Sequence, residues 1–154
     1  NETGEIITSG PQVFNSYWNN IKATRAAFVK LDGKKFFRTG DIGYYDEQGY
    51  FYFVDRLKRM INVSGMKVWP AEVEAILHSH PDILEACIVG DSDPRTGERV
   101  RAVLVLSNDK KDLPKEIFID WCKMNMAAYK VPKSIEIRRF LPRGAAGKVL
   151  WREL

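Results

Sequence analysis

The sequence is poor in cysteine and histidine, and these shortages exclude several kinds of chemistry. Its two cysteines, Cys87 and Cys122, are far apart and have no Cys or His at metal-ligand spacing, which argues against a disulfide framework or a metal site. Both lie in apolar stretches, so we predict small, buried, reduced thiols rather than a nucleophile. The two histidines, His78 and His80, belong to no carboxylate–His–nucleophile pattern, which argues against triad chemistry.

Long apolar runs and a secretion signal are also missing. No apolar stretch approaches the roughly 20 residues that a membrane span requires, so no transmembrane segment is expected. The first five residues lack the basic start and apolar core of a signal peptide. They also lack an initiating methionine, and we expect the chain to be part of a longer protein. Reduced thiols without a leader predict a cytoplasmic location, either free or peripheral to a membrane.

Positive charge is concentrated in the second part of the 154-residue chain. The net charge is +4; residues 1–57 carry seven basic and seven acidic side chains, whereas residues 58–154 carry 17 and 13. Residues 123–152 are the densest region, with eight basic side chains and one acidic side chain. Such a region attracts nucleotide or CoA phosphates, nucleic acid or acidic lipid, and it also fits a solvated basic face.

Residues 1–57 have the pattern of strands with one short helix. Residues 4–11 predict a strand closed by a turn, Asn19 and Asn20 can cap a helix that runs to Ala27, and the aromatic residues 50–54 predict another strand. These strands lack enough partners for a core of their own, so we expect them to belong to a larger sheet. In isolation they could pair between copies, which predicts a homo-oligomer of this chain.

Residues 58–154 alternate between strand and helix signals. Ser64 and Gly65 are typical of a hairpin turn, and Pro70 and Pro114 are typical of the first turn of a helix. The predicted elements are strands 58–63 and 66–69, a helix from Pro70 that stops at Pro81, strands 83–90 and 100–106 around a polar loop 91–98, a helix from Pro114, a strand over 135–137, and a helix from Val149.

Because the strands come partly as hairpins, the pattern favours a compact α+β domain over a doubly wound parallel sheet. We therefore predict that residues 1–57 are the incomplete, β-rich tail of a larger domain. Residues 58–154 are predicted to form a small domain with a short antiparallel sheet flanked by helices.

Two polar segments are candidates for chemistry. Lys148 follows the Gly/Ala-rich loop Arg143–Gly147, where a lysine would be a mobile positive charge for phosphate or carboxylate oxygens. It does not end a phosphate-binding P-loop, because Val149 follows it, and on its own the segment is explained more readily by an ordinary exposed loop lysine. Asp41 follows Thr39-Gly40 and could accept hydrogen bonds from a ribose diol, or could merely cap its own turn.

Four motifs, in this order, resemble the adenylate-forming enzymes: acyl-CoA synthetases, peptide-synthetase adenylation domains and luciferases. The resemblance extends over essentially the whole chain, and its hinge segment is most similar to medium- and long-chain fatty acyl-CoA synthetases. The motifs are Gly4-Glu5-Ile6 with Gly10-Pro11-Gln12-Val13 and Tyr17-Trp18, then Phe37-Arg38-Thr39-Gly40-Asp41, then Val54 to Glu74 through Ser64-Gly65-Met66-Lys67, and finally Leu141-Pro142 with Gly147-Lys148-Val149.

The resemblance implies a role for each matching residue. Lys148 matches the lysine that bridges ATP and the substrate carboxylate, and Lys58 matches the hinge on which a small lid domain turns. The implied contacts to substrates are Asp41 and Arg56 to the nucleotide, Phe53 beside its ribose, Ser64, Gly65, Met66 and Lys67 on the loop facing the CoA tunnel, and Lys123 near a CoA phosphate.

The implied activity is a two-step synthesis: a fatty acid and ATP with Mg²⁺ form acyl-AMP, and CoA then accepts the acyl group. Residues 58–154 would be the mobile lid of an acid–thiol ligase, and the remainder of the site would lie in an N-terminal domain outside this sequence. We therefore expect this chain alone to be inactive. The family often has Thr before the Gly-Lys pair, where this sequence has Gly144-Ala145-Ala146, so the loop could be looser. Asp55 and Lys58 replace commoner hinge residues without removing a catalytic group.

Three alternatives stay open at this point. An adenylation domain that loads a carrier protein would carry the same motifs. A basic module for nucleic acid is disfavoured because the aromatic–basic interleaving of RNA-binding folds is missing, so no nucleic-acid partner is expected. A non-catalytic interaction domain would carry Lys148 without depending on it.

Overall fold

The computed structural model describes residues 2–107 and 113–154. The chain folds into two compact units, Asn1–Lys58 and Arg59–Leu154. None of the helices in those residues is long and apolar enough to cross a bilayer.

The first unit is a four-stranded antiparallel sheet with one helix. Strand β3 lies at its centre and pairs with the other three strands. Asn20 caps the helix as predicted, because its side-chain oxygen accepts a hydrogen bond from the Ala23 amide at 2.9 Å. Among the described residues of this unit, Ile42 is the one fully buried apolar side chain. The elements are β1 (Gly4–Thr8), α1 (Ile21–Ala27), β2 (Phe28–Leu31), β3 (Lys34–Tyr45) and β4 (Phe51–Arg56).

The second unit is a five-stranded sheet with two helices. The strand order is β6-β5-β8-β7, and β9 also pairs with β8. All pairs are antiparallel except β8 with β9, which run parallel. The elements are β5 (Ile61–Val63), β6 (Met66–Val68), α2 (Pro70–His78), β7 (Ile83–Asp93), β8 (Gly97–Leu106), α3 (Lys115–Asn125) and β9 (Ser134–Ile137), with 3₁₀ turns at Leu57–Arg59 and Trp151–Glu153.

The two faces of this sheet are covered by different parts of the chain. Alternate residues of β7 and β8 point to opposite faces, as in any strand. One face packs against α2 and α3 through residues such as Leu77 and Phe118, both fully buried. On the other face Cys87, Val89, Val103, Val105 and Leu141 form a second cluster, against which Val149, Trp151 and Leu154 pack. Residues 141–154 therefore cross that face, and we call them the strap.

Both cysteines are free and buried, as predicted. Burial raises the pKa of the Cys87 thiol to about 11, and burial does the same for Cys122. Neither thiol is therefore ionised near neutral pH, which fits a packing role.

The α+β prediction, with a short antiparallel sheet flanked by helices, is confirmed, and the structure corrects three details. The polar segment 91–98 is mostly strand rather than loop, because its charged residues pair across the ladder, as Asp91 does with Arg99. Residues 58–60 do not extend β5; a 3₁₀ turn occupies Leu57–Arg59. The chain ends in a 3₁₀ turn at Trp151–Glu153 rather than in a helix from Val149.

Candidate functional site

The segment before Asp41 is held in place by Glu5 on β1. Arg38 donates two hydrogen bonds to Glu5 Oε2, from Nε at 2.9 Å and from Nη2 at 2.7 Å. The Gly40 amide donates to Glu5 Oε1 at 3.1 Å, and Thr39 Oγ1 donates to the Ile6 carbonyl at 2.6 Å. No local sequence signal marks Glu5 as a partner of this segment, since 35 residues separate it from Gly40.

Asp41 and Arg56 lie directly opposite each other on β3 and β4. Arg56 Nε contacts Asp41 Oδ1 at 2.7 Å, and the two side chains are 62% and 28% exposed. The contact is an ion pair without hydrogen-bond geometry, because Asp41 Oδ1 has no hydrogen-bond partner among the described residues. The second carboxylate oxygen of Asp41 can accept hydrogen bonds from a diol. Phe53, opposite Gly43 on β4, is 61% exposed. The structure thus brings three of the predicted nucleotide-binding residues onto one strand pair.

Lys58, the predicted hinge residue, lies at the end of the first unit. It lines a cleft of about 450 Å³ together with Thr39 and Gly40, the two residues that precede Asp41. The predicted hinge and the Thr39-Gly40 segment of β3 therefore share one cleft.

The predicted hairpin joins β5 to β6 at Ser64 and Gly65. Their φ angles are +52° and +85°, which is the pattern of a type I′ turn and the reason that Gly suits the second position. The Gly65 amide donates to Asn62 Oδ1 at 2.9 Å, and the Ser64 amide donates to the Thr96 carbonyl at 2.8 Å. The hairpin is thereby attached to the turn between β7 and β8, and it exposes Met66 and Lys67.

Lys148 follows a tight, hydrogen-bonded turn rather than a loose loop. The Gly147 amide donates to the Gly144 carbonyl, and the Gly144 amide donates to the Lys148 carbonyl, both at 2.9 Å. Arg143 and Val149 pair as an antiparallel bridge across this turn. The Lys148 side chain is exposed and has no salt bridge within residues 2–107 and 113–154. Its ammonium group is therefore presented to solvent on a fixed backbone.

The hairpin and the Lys148 turn lie at opposite ends of the β7–β8 ladder. The Lys148 turn is attached at Glu85, whose carboxylate pairs with Arg143, and the hairpin is attached at Thr96, beside the Asp93–Gly97 pair. Eight residue steps along β7 separate Glu85 from Asp93, which at about 3.3 Å each is roughly 26 Å. The two turns are therefore attached at well-separated points of the sheet.

A basic cleft of about 370 Å³, which no sequence motif predicted, lies beside the hairpin. It forms because the Lys133 amide donates to the Val100 carbonyl at 2.8 Å, which brings residues 129–133 next to the β7–β8 turn. The one sequence signal for this cleft was the high density of basic residues in 123–152. Its lining residues are Val63, Asp93, Arg95, Thr96, Arg99, Val100, Tyr129, Val131 and Lys133.

Lys123, the predicted CoA contact, does not line that cleft. It lies on α3, where its ammonium group pairs with Asp120 at 2.8 Å, and its side chain is 62% exposed. No group of three His, Cys, Asp or Glu residues suited to a metal ion occurs in the part of the chain that the structure describes.

Comparison with known proteins gives a consistent result. Residues 72–148 match the family model described as AMP-binding enzyme C-terminal domain. The chain is 44% identical over 153 residues to a long-chain-fatty-acid–CoA ligase of Bacillus subtilis, covering 99% of this chain and 26% of the relative. It is 40% identical over 153 residues to a feruloyl-CoA synthase of Amycolatopsis sp, covering 99% of this chain and 30% of the relative.

Among solved structures, the chain resembles o-succinylbenzoate CoA synthetase from Bacillus subtilis in complex with its acyl-adenylate intermediate. The TM-score is 0.80 at 38% identity, and the match covers 99% of this chain and 30% of that one. The chain therefore spans less than a third of the length of the relatives that it matches.

Proposed function

The chain belongs to the family of AMP-binding enzyme C-terminal domains, and we propose that it is the end of an ATP-dependent acyl-CoA synthetase acting on a fatty acid. In this proposal residues 1–57 are the tail of the large N-terminal domain and residues 58–154 are the mobile lid. The observation that carries it is the attachment of the Lys148 turn and the Ser64–Gly65 hairpin at opposite ends of the β7–β8 ladder, near residues that lie roughly 26 Å apart along β7.

In the first step, a carboxylate oxygen of the acid attacks the α-phosphorus of ATP. A bond forms between these atoms, the bond to the β-phosphate oxygen breaks, and pyrophosphate leaves. Two anions meet in this step, so the Lys148 ammonium group would offset the charge that develops between them. Asp41, oriented by Arg56, would hold the ribose hydroxyls, with Phe53 beside the sugar. Mg²⁺ would arrive on the triphosphate as part of the substrate.

In the second step, the CoA sulfur attacks the acyl carbon of acyl-AMP, AMP leaves and the thiol proton is released. The hairpin Ser64–Lys67 would line the path of the pantetheine arm. The cleft beside it offers Arg95, Arg99 and Lys133 to phosphates, and Tyr129 to an aromatic base. A ligand with a long arm and a phosphorylated nucleotide fits this combination, and CoA is such a ligand. Lys123 is retained as a weaker candidate for a CoA phosphate.

Because the two turns are attached at opposite ends of the β7–β8 ladder, we expect that the lid must move for one acyl group to meet both in turn. A rotation about Lys58 would withdraw Lys148 after adenylation and bring the hairpin to the acyl-AMP. The relatives act on both aliphatic and aromatic acids, as their names state, so the choice of a fatty acid rests on the similarity of the hinge segment.

The test uses the full-length enzyme and measures the two steps separately. ATP–pyrophosphate exchange with octanoate, dodecanoate, hexadecanoate and ferulate reports adenylation, and loss of free thiol from CoA with supplied acyl-AMP reports transfer. We expect Lys148→Ala to lower exchange about 100- to 1,000-fold while transfer persists. Lys115→Ala, an exposed lysine on α3, is the matched control.

Normal exchange in Lys148→Ala would remove Lys148 from the mechanism and overturn the proposal. Exchange without any transfer to CoA in the wild type would favour an enzyme that loads a carrier protein.

A further inference from the structure

Arg143 makes two contacts that converge on the backbone of Lys148. Its Nη1 donates to the Gly147 carbonyl at 2.7 Å, which belongs to the peptide group immediately before Lys148. Its Nη2 pairs with the carboxylate of Glu85 on β7. The guanidinium group thus connects the Lys148 turn to β7, near the start of this edge strand.

Glu85 is well placed to receive this contact. It precedes Cys87 and Val89 by two and four residues on β7, and it lies on the face that the strap crosses. The strap is held on that face by Leu141 before the turn and by Val149, Trp151 and Leu154 after it. The turn itself, Gly144–Gly147, contributes no large side chain to this packing.

The turn therefore depends on polar contacts for its position. Gly144, Ala145 and Ala146 carry no hydroxyl or other polar side chain that could bond to the turn backbone. Arg143 supplies such a bond from outside the turn, through a planar fork that reaches a carbonyl and a carboxylate at once. Lysine, with a single ammonium group on a flexible stem, could not reproduce that geometry.

We propose that Arg143 and Glu85 are positioning residues for Lys148 in the adenylation step. Neither is expected to touch the substrates; they fix the direction in which Lys148 leaves its turn. This inference rests on the proposed function, because it needs Lys148 to act on ATP and the acid.

Arg143 and Glu85 are expected to affect the rate of adenylation much more than the free energy of unfolding. Arg143 and Glu85 are 47% and 34% exposed, and ion pairs at such positions contribute little to folding. Misplacing a catalytic group by about 1 Å, in contrast, can lower a rate about 100-fold. A strong kinetic effect without a stability effect is therefore the signature of a positioning role.

The experiment measures both half-reactions in the full-length enzyme with dodecanoate and with ferulate. Arg143→Gln is expected to lower kcat for ATP–pyrophosphate exchange about 10- to 100-fold, with the KM for ATP nearly unchanged. Glu85→Gln should also lower kcat for exchange, but less strongly, since the contact between Arg143 and the Gly147 carbonyl remains. The kcat of Arg143→Lys should lie between those of the wild type and Arg143→Gln. Transfer from supplied acyl-AMP to CoA, and the urea midpoint, should stay at wild-type values in all three.

Arg139→Gln is the matched control, because it removes the same charge from an exposed neighbouring position and should leave exchange unchanged. Lys148→Ala is measured in parallel. If Lys148→Ala exchanges normally, the proposed function fails and this inference fails with it. If Lys148→Ala is impaired but Arg143→Gln exchanges normally, or loses both half-reactions equally, the positioning role alone is overturned.

Discussion

The two ends of the β7–β8 ladder present their turns by different physical means. At the hairpin end, the positive φ angles of Ser64 and Gly65 set the shape of the turn, and main-chain bonds such as Ser64 to Thr96 attach it. At the Lys148 end, the turn belongs to a strap that packs on the sheet through apolar side chains and is fixed by charged ones, above all Arg143. A turn defined by its backbone tolerates changes in its surroundings, whereas a packed strap depends on them.

The largest expected effect comes from removing the packing under the strap. Leu141 is 3% exposed in the second cluster, so Leu141→Ala should lower the free energy of unfolding by about 2–5 kcal/mol. Leu84→Ala is the control, because Leu84 on β7 is 57% exposed and should change it by less than about 0.5 kcal/mol. Urea unfolding of this chain, followed by circular dichroism, measures both. Equal effects of the two substitutions would show that the strap is not packed.

Two glycine substitutions should affect opposite half-reactions. Gly65 and Gly147 have φ angles of +85° and +75°, and an added Cβ would meet nothing within 4 Å at either position. Alanine therefore costs only the backbone strain, about 1–2 kcal/mol. Where the turn shifts to relieve this strain, restoring its working geometry adds that amount to the activation barrier, which is roughly 5- to 30-fold in rate. In the full-length enzyme, Gly65→Ala should slow transfer to CoA, and Gly147→Ala should slow ATP–pyrophosphate exchange.

Gly144→Ala is the matched control for this pair. Gly144 lacks a positive φ, and its added Cβ would lie 3.4 Å from Leu150 Cδ2, an ordinary contact. Loss of the same half-reaction in both Gly65→Ala and Gly147→Ala would contradict the assignment of transfer to the hairpin and of adenylation to the Lys148 turn.

Local signals in the sequence predicted the turns and most elements. Asn20, Ser64-Gly65 and Pro70 act within a few residues of their own positions, so the cap, the hairpin and the start of α2 were predicted where they occur. Strand β3 was not predicted, because Gly40 and Gly43 interrupt its pattern and its order depends on three partner strands. The same motifs that predicted the turns also led to the family.

The surroundings of the site could not be predicted, because they depend on contacts between distant residues. Glu85 and Arg143 are 58 positions apart, and neither has a local feature that marks it as a partner. The cleft beside the hairpin likewise needs Lys133 to pair with Val100 on β8. Motif residues can be identified from a single sequence, whereas the residues that orient them can be identified only once the folded structure is known.

The basic cleft allows a direct comparison between a residue found in the structure and one predicted from the sequence. Lys133 lines the cleft, whereas the ammonium group of Lys123 is paired with Asp120. We expect Lys133→Ala to raise the KM for CoA about 5- to 10-fold, equivalent to roughly 1 kcal/mol, and Lys123→Ala to raise it less. Transfer assays across a CoA titration measure both, with Lys115→Ala as the control. A larger effect of Lys123→Ala on this KM would indicate that the CoA phosphates bind beside Lys123 on α3 rather than in the cleft.

The smallest expected effect concerns the acid sensitivity of the strap's far end. Arg101 Nη2 donates to the Leu154 carbonyl at 2.6 Å, and its Nη1 donates to Glu136 at 2.9 Å. The hydrogen bond from Arg138 lowers the pKa of Glu136 below its ordinary value of 4.5. Partial burial opposes this shift of the pKa, and the positive charges of Arg138 and Arg101 add to it. The stabilisation from ionised Glu136 is therefore complete above pH 4.5 and is lost as the pH falls through the lowered value.

Because Glu136 is 39% exposed, we expect this contribution to be at most about 0.5 kcal/mol. Urea midpoints of this chain, measured from neutral pH down to about pH 3.5, should fall less steeply in Glu136→Gln than in the wild type. Glu47→Gln, exposed in the turn between β3 and β4, should follow the wild-type profile. Parallel profiles for Glu136→Gln and the wild type would mean that Arg101 holds the strap without help from Glu136, leaving Arg143 and the apolar cluster as the features that fix it.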